Sequence, residues 1–303
     1  MSHATTSQNA PSRTARPSAP ATFRIGGELE VSRLGYGAMR LTGQPSNFGP
    51  YLDWEGGKAL LRRAADLGVD FFDTALPYGP GHSERILGET IGDRPVVIAT
   101  KGGVDKPAPG NIVTDGRPST LRQHVERSLQ ALGRETIDLY QLHRVDPATP
   151  LEESVGELAR LRESGKIRFV GLSNVSLEQY ELAKSVTDID SVQNRFNVAE
   201  RGALELVRAT ARDGAAFIPY GPLGANPMKH GAPLAGPSGA LGEIAGELGV
   251  PAGQLALAWL LHVSPNTILI PATTRIEHLE ENVAARELVL DAEQLARIER
   301  AFH

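Results

Sequence analysis

The chain of 303 residues contains no cysteine. That absence excludes disulfide staples, thiol nucleophiles and cysteine-ligated metals together, and it suits a reducing cytoplasm, the expected location. An excess of positive charge is also missing. Lys and Arg number 31 against 36 Asp and Glu, a formal net charge of −5, so no field draws in nucleic acid or an anionic membrane. Neither is expected as a partner. Nor is any apolar run long enough to cross a bilayer; the longest, Leu255 to Val263, reads as a core helix. Residues 1–22 hold Ser, Thr, Ala, Pro and Arg with almost nothing to bury, which predicts a disordered extension. The stretch has no apolar core of the kind a secretory signal needs.

What is present is the material of a soluble domain with a sizeable core: 41% hydrophobic and 22% charged residues. The length allows two domains or one α/β barrel. Folding is expected to begin at Phe23, with a hairpin of Thr22 to Ile25 and Leu29 to Val31 around Gly26-Gly27. A buried strand, Leu34 to Gly37, follows. From there strands and helices alternate. The expected strands are Val69–Asp73, Pro95–Thr100, Ile137–Leu142, Arg168–Leu172, Ser191–Gln193, Ala215–Pro219 and Thr267–Ile270. Between them lie helical spacings such as Leu60, Leu61, Ala64, Ala65, Leu67 and Leu121, Val125, Leu129, Leu132, the latter with Ser119 as its expected cap. A final surface helix is read from Glu293 to Ala301. Eight strand-helix units predict a (β/α)8 barrel, one domain over residues 23–303, with an N-terminal hairpin and an extra C-terminal helix. An open dinucleotide-binding sheet is disfavoured, because Gly35-Tyr36-Gly37-Ala38-Met39-Arg40 lacks the third glycine of that turn.

Barrel chemistry gathers where strands end. Those ends offer Asp73 with Tyr78 on its loop, Lys101, His143, Ser173-Asn174, Gln193 and Tyr220. Taken singly, each has a plain alternative. Asp and Asn are common turn formers, a histidine after an apolar strand is commonly a hydrogen-bonded structural residue, and Tyr220 could simply pack over Pro219 and Pro222. Lys101 is harder to set aside, since an unpaired buried ammonium is costly and Asp73 is the obvious counter-charge. Together they predict a general acid. A tyrosine titrates near 10. A neighbouring ammonium held by a carboxylate is expected to depress that value, so that the phenol protonates a carbonyl oxygen while an imidazole orients it.

Asp73-Thr74-Ala75 with Tyr78-Gly79, Ala99-Thr100-Lys101, Leu142-His143, Gly171-Leu172-Ser173-Asn174, Val192-Gln193-Asn194, and Ile270 to Thr274 with His278 to Asn282 occur in that order. The ordered set resembles the aldo-keto reductase superfamily from Phe23 onward, with a looser likeness to bacterial members described as pyridoxal reductases. The resemblance implies a (β/α)8 barrel using a nicotinamide cofactor, and a tetrad of Asp73, Tyr78, Lys101 and His143 with Tyr78 as proton donor. It further implies cofactor contacts at Gly37, Met39, Ser173, Asn174 and Gln193, the last three on the carboxamide. Tyr220 would lie under the nicotinamide ring. Gly221, Pro222, Leu223 and Gly224 would follow the pyrophosphate, whose close approach their glycines permit. Pro271, Ala272, Thr273, Thr274 and Arg275 would meet the adenosine 2′-phosphate, and Glu281 and Asn282 the adenine. Ala272 and His278 depart from relatives that carry lysine and arginine there, yet Arg275 can still fork a phosphate, so NADP(H) is expected over NAD(H).

The implied activity is reduction of a small aldehyde or ketone to an alcohol. Two other classes fit parts of the pattern. One is a non-catalytic nicotinamide sensor or regulatory subunit on the same fold. The other is a Schiff-base aldolase with Lys101 as nucleophile, which pairing with Asp73 opposes. The loops 42–52, 104–118, 144–150 and 226–237 would build the substrate pocket, with Phe48, Tyr51 and Trp54 as aromatic contacts, although Trp54 could equally open the first barrel helix. Substrate and oligomeric state are not encoded legibly.

Overall fold

The computed structural model describes residues 20–225, 231–236 and 238–302. Strands β1 (Thr22–Ile25) and β2 (Leu29–Ser32) pair antiparallel as the expected hairpin, with Gly26 and Gly27 both at positive φ in the turn. Ile25 and Val31 are fully buried in one cluster with Phe71, Val97, Leu139, Phe169, Ala216 and Ile268, so the hairpin covers the amino-terminal ends of the strands that follow. Of the predicted extension, residues 1–19 lie outside the described residues. Pro20 and Ala21 accept bonds from Arg33, and Thr22 pairs with Ser32. Arg33 itself is buried. It donates to the carbonyls of Leu261, Ser264 and Thr267, which satisfies a charge that no sequence pattern explains.

Next come β3 (Tyr36–Gly37), α1 (Trp54–Asp66), β4 (Phe71–Asp73), α2 (His82–Ile91) and β5 (Val97–Gly102). A hairpin of β6 (Val104–Ala108) and β7 (Asn111–Thr114) follows, then α3 (Pro118–Leu132), β8 (Ile137–Leu142), α4 (Leu151–Glu163) and β9 (Ile167–Ser173). The chain continues through α5 (Leu177–Lys184), β10 (Ser191–Gln193), α6 (Leu204–Asp213), β11 (Ala216–Phe217), α7 (Gly239–Leu248), α8 (Ala252–Val263), α9 (Ile276–Ala284) and α10 (Ala292–Ala301). Seven strands form a parallel sheet in the order β11-β10-β9-β8-β5-β4-β3. Helix faces such as Leu60, Leu61 and Ala64 of α1, and Leu121, Val125 and Leu129 of α3, join the main core cluster outside it. This is the α/β barrel-like architecture that alternating apolar strands and amphipathic helices dictate.

Three expectations need correction, and one helix went unread. Thr267 to Ile270 is not a continuous strand; it makes isolated parallel bridges, Thr267 to Phe217 and Leu269 to Leu34. The segment hydrogen-bonds to both sheet edges, with Ile268 N to Phe217 O at 2.9 Å and Gly35 N to Leu269 O at 2.8 Å. Its ladder is cut short by Pro271, which has no N–H to give. Ser119 is not a cap: α3 opens at Pro118, a residue whose missing N–H costs nothing in a first turn. The stretch 104–118, read as loop, contains the β6–β7 hairpin, and α7, whose Leu241, Ile244 and Ala245 are buried, was not read as a helix. Among the described residues no single helix is long and apolar enough to cross a membrane.

Candidate active site

The carboxyl ends of the parallel strands place the chemistry. Lys101 near the end of β5 is fully buried, and its Nζ donates to Asp73 Oδ1 at 2.8 Å, Asp73 Oδ2 at 2.7 Å and Thr74 O at 2.7 Å. An ammonium has three protons, and here each has an acceptor. Burial pulls the Lys101 pKa down, and the adjacent carboxylate pulls it back. Gln193, ending β10, donates from Nε2 to Asp73 Oδ1 at 2.8 Å. Register explains the meeting, since Asp73 sits opposite Ala99 on β5, two residues before Lys101, so both point inward at successive heights.

Tyr78 follows on the β4–α2 loop. Its ring stands edge-on to His143 with centroids 6.0 Å apart, and Lys101 Nζ lies 5.5 Å from the Tyr78 centroid. The expectation of an unusually acidic phenol is overturned. Burial pushes the Tyr78 pKa up, Asp73 pushes it further, and only Arg144 opposes. The reason is geometric: all three Lys101 protons are turned to Asp73 and Thr74, and the carboxylate offsets much of the field that the ammonium, 5.5 Å from the ring, exerts on the neutral phenol. Tyr78 is therefore a neutral, protonated phenol at ordinary pH. His143 is held well below its usual value by burial, then by Lys101 and Arg144, so its imidazole is neutral. Its Nδ1 is buried without a partner. Leaving a lone pair orphaned is cheaper than burying an orphaned N–H, which favours the proton on Nε2.

On the next strand end Asn174 adopts φ +57, a left-handed conformation Asn tolerates. Its Nδ2 donates to His143 O and Ser173 Oγ, both at 3.0 Å, and its Oδ1 accepts Tyr220 O–H at 2.8 Å. Asn174 N donates to Gln193 O at 3.1 Å. Asp73, Tyr78, Lys101, His143, Ser173, Asn174, Gln193 and Tyr220 are thus one connected rim. Tyr220 is anchored by its hydroxyl rather than merely resting on the prolines beside it.

The loop after Tyr220 has Gly221 and Gly224 at positive φ, closed by Gly224 N to Gly221 O at 3.0 Å around Pro222 and Leu223. Two residues that the sequence reading passed over hold it. Asn197 Nδ2 donates to Gly221 O at 3.0 Å and Arg195 Nη1 to Ala225 O at 3.2 Å. The part of the 226–237 loop at 226–230 and 237 lies outside the described residues.

Gly37 N donates to Pro271 O at 3.2 Å, and a Cβ at Gly37 would stand 2.6 Å from Ile270 O. Only glycine allows that approach. Thr273 O accepts from Tyr36 O–H at 2.6 Å, and Thr273 Oγ1 accepts from Arg275 N at 3.1 Å, turning the chain into α9. Arg275 stands at the N-cap of α9, where its side chain accepts no first-turn N–H and its Nε donates to Glu277 Oε2 at 3.4 Å, beside exposed Ala272 and Thr274. Asn282 is buried on α9, Glu281 is exposed, and Met39 is half-buried with its carbonyl accepting from Thr42. No contact in the structure joins Glu281 or Asn282 to the tetrad.

At the mouth, Gly79 N donates to Asn47 O and Gly49 N to Gly79 O, both at 3.2 Å, so the loop holding Tyr78 is stitched to residues 42–50. Lys106 of the β6–β7 hairpin donates to the carbonyls of Ser46 and Asn47, tying that hairpin to the same loop. Trp54 opens α1 and bonds Glu89 on α2 at 3.1 Å, with Arg85 over its ring. It is turned toward α2, and the expected aromatic contact with substrate is withdrawn. Arg144, exposed directly after His143, is the charge that sequence reasoning overlooked, since its field lowers Tyr78, His143 and Tyr220 alike.

A buried lysine–aspartate pair thus stands beside a phenol and an imidazole at the strand ends of an α/β barrel-like fold. Residues 33–302 match the model of the Aldo/keto reductase family, and the chain belongs to that family. It is similar to an uncharacterized oxidoreductase of Schizosaccharomyces pombe, 38% identical over 95% of this chain and 94% of the relative. It is also similar to pyridoxine 4-dehydrogenase of Escherichia coli, 36% identical over 92% and 97%. Among solved structures it matches an aldo/keto reductase from Klebsiella pneumoniae in complex with NADP and acetate. That match has a TM-score of 0.78 and 27% identity, and covers 93% of this chain and 95% of the other.

Proposed function

We propose that the chain is an NADPH-dependent reductase that converts an aldehyde or ketone to an alcohol with Tyr78 as general acid. The carrying observation is the Lys101–Asp73 pair, buried and fully hydrogen-bonded, with Tyr78 and His143 against it. In this reading Thr267 to Ile270 serves as an eighth stave that closes the sheet into a (β/α)8 barrel, α10 is the added C-terminal helix, and residues 23–303 are one domain. NADPH, bound in one structure of a Klebsiella pneumoniae aldo-keto reductase as NADP is in another, would supply the hydride when bound. The residues present fit it. Ser173, Asn174 and Gln193 offer amide and hydroxyl partners for a carboxamide, Tyr220 a flat face, the Gly221–Gly224 loop a close backbone, and the uncapped start of α9 with Arg275 an anion site.

This chain's own groups then do the following. His143 Nε2–H orients the carbonyl oxygen and polarises it. As negative charge grows on that oxygen it becomes a far stronger base than the carbonyl, strong enough to take the proton from a phenol of raised pKa. Lys101 stabilises the phenolate left behind, and Asp73 keeps Lys101 charged. A depressed tyrosine pKa is not required for this direction, since the acid must only be protonated when the alkoxide forms. The aldolase reading loses ground, because a nucleophilic amine needs a free lone pair and Lys101 has three protons held by acceptors.

Steady-state kinetics with aldehydes, ketones and pyridoxal, run with NADPH and with NADH, test the proposal. Carbonyl-dependent oxidation with the higher kcat/KM for NADPH is expected. A higher value with NADH contradicts the role given to Arg275, and no oxidation with any carbonyl favours the sensor reading.

A further inference from the structure

Behind Lys101, between the sheet and its helices, lies a polar cluster that the proposed mechanism does not use. Glu84 on α2 is fully buried, and its Oε1 accepts from Thr100 Oγ1 at 2.6 Å, the residue directly before Lys101. Glu84 Oε2 has no hydrogen-bond partner, and neither do Ser128 Oγ of α3 nor Tyr140 O–H of β8, both also fully buried. Tyr140 O–H sits against the backbone of β5, where a Cβ at Gly102 would lie 1.9 Å from it. No cation touches Glu84. Arg127, on the same helix as Ser128, is half-exposed and bonded to Asp105 at 3.2 Å. Lys101 is turned to the inner face of the strand.

A buried carboxyl with one close donor, Thr100, and the Ser128 hydroxyl nearby without a formed bond is poorly solvated when ionised, which favours the acid form. We propose that Glu84 is a positioning residue held as a neutral acid behind Lys101, and that losing its proton weakens the pull of Lys101 on Tyr78. The inference rests on the reductase reading. Thr100 points outward and Lys101 inward from neighbouring positions of β5, so Asp73 holds the ammonium directly while Glu84 acts on it through space from behind the strand. Two negative charges around it cancel more of its field at the phenol than one does. The proton transfer that leaves Tyr78 anionic is then harder.

The groups facing Glu84 are Thr100 and Lys101 from β5, Tyr140 from β8, and Ser128 and Arg127 from α3. His124 and Asp105 are paired at 3.0 Å beyond them, and Thr74 bonds Ser83 at 2.8 Å on the β4 side. Burial pushes the Glu84 carboxyl up to about 7 from its ordinary 4.5, against partial lowering by Thr100, Ser128, Arg127 and Lys101. A folded-state value above the unfolded one means this group's contribution to stability is complete below the unfolded value. It is lost as pH rises through the folded one.

The test compares wild type with Glu84→Gln, and with the apolar Glu84→Leu should the first fail to fold, across pH from about 5 to about 8.5. Two quantities are read, Tm and kcat/KM for reduction with NADPH. In wild type Tm falls from about pH 5 and levels off above about 7, where both states have lost the proton, while the rate falls by about threefold through 7, as expected for a charge acting at short range in a partly screened interior. In the variant both changes are absent. Parallel Tm curves overturn the inference, and so does a rate step that persists in the variant. A Tm step without a rate step leaves a buried acid with no positioning role and overturns it too. Absent turnover in both proteins, with the Tm step present, marks instead the failure of the reductase reading, and the positioning role falls with it.

Discussion

Tyr78→Phe lowers kcat for carbonyl reduction by roughly a hundredfold to ten-thousandfold, the usual worth of a positioned general acid, and leaves NADPH affinity nearly unchanged. The asymmetry follows from where the hydroxyl sits. Its ring packs edge-on to His143 and beneath Lys101, contacts that phenylalanine keeps, while the cofactor partners assigned here lie on Ser173, Asn174, Gln193 and Tyr220. Because burial and Asp73 raise the phenol's pKa, reduction should show no inflection from Tyr78 across neutral pH. The reverse reaction, alcohol oxidation, needs the phenolate as base and should rise toward high pH. Activity within about threefold of wild type in the variant would remove Tyr78 from the mechanism.

Lys101→Met is expected to act on stability as well as on rate. Methionine fills much of the volume, but it leaves Asp73 buried at the strand end with Gln193 as its one remaining side-chain donor. Removing one member of a buried pair typically costs about 3–5 kcal/mol, because the other charge stays behind unpaired. Adding Asp73→Asn should return most of the lost Tm without restoring reduction, since the phenolate would still lack its cation. Recovery of both in the double variant would show that the pair is a folding element alone. Recovery of neither would mean that the damage is steric.

The parts of the site legible in the sequence were those fixed by strand ends. Short apolar strands closing in Asp73, Lys101, His143, Asn174 and Gln193 advertise a rim, because period-two alternation sets which of them point inward. The hairpin around Gly26-Gly27 was equally plain, its turn chemistry being local. What escaped depends on contacts between distant segments. Pro118 displaced Ser119 as the start of α3, the β6–β7 hairpin looked like loop because it leans on Lys106 reaching Ser46 and Asn47, and Arg33 is satisfied mainly by carbonyls more than two hundred residues away. The acidity of Tyr78 was misjudged for a related reason. Sequence placed an ammonium near it but could not show that Asp73 and Thr74 take all the protons.

The central claim is a hydride delivered to a carbonyl carbon at this rim while Tyr78 supplies the proton. Turnover of an aldehyde with NADPH carrying deuterium at the transferring position of C4 tests it most directly. The account predicts deuterium on the carbinol carbon of the alcohol in wild type, and the same labelled alcohol formed roughly a hundredfold or more slowly by Tyr78→Phe. An unlabelled product, or a substrate adduct trapped on Lys101 by borohydride, would contradict it.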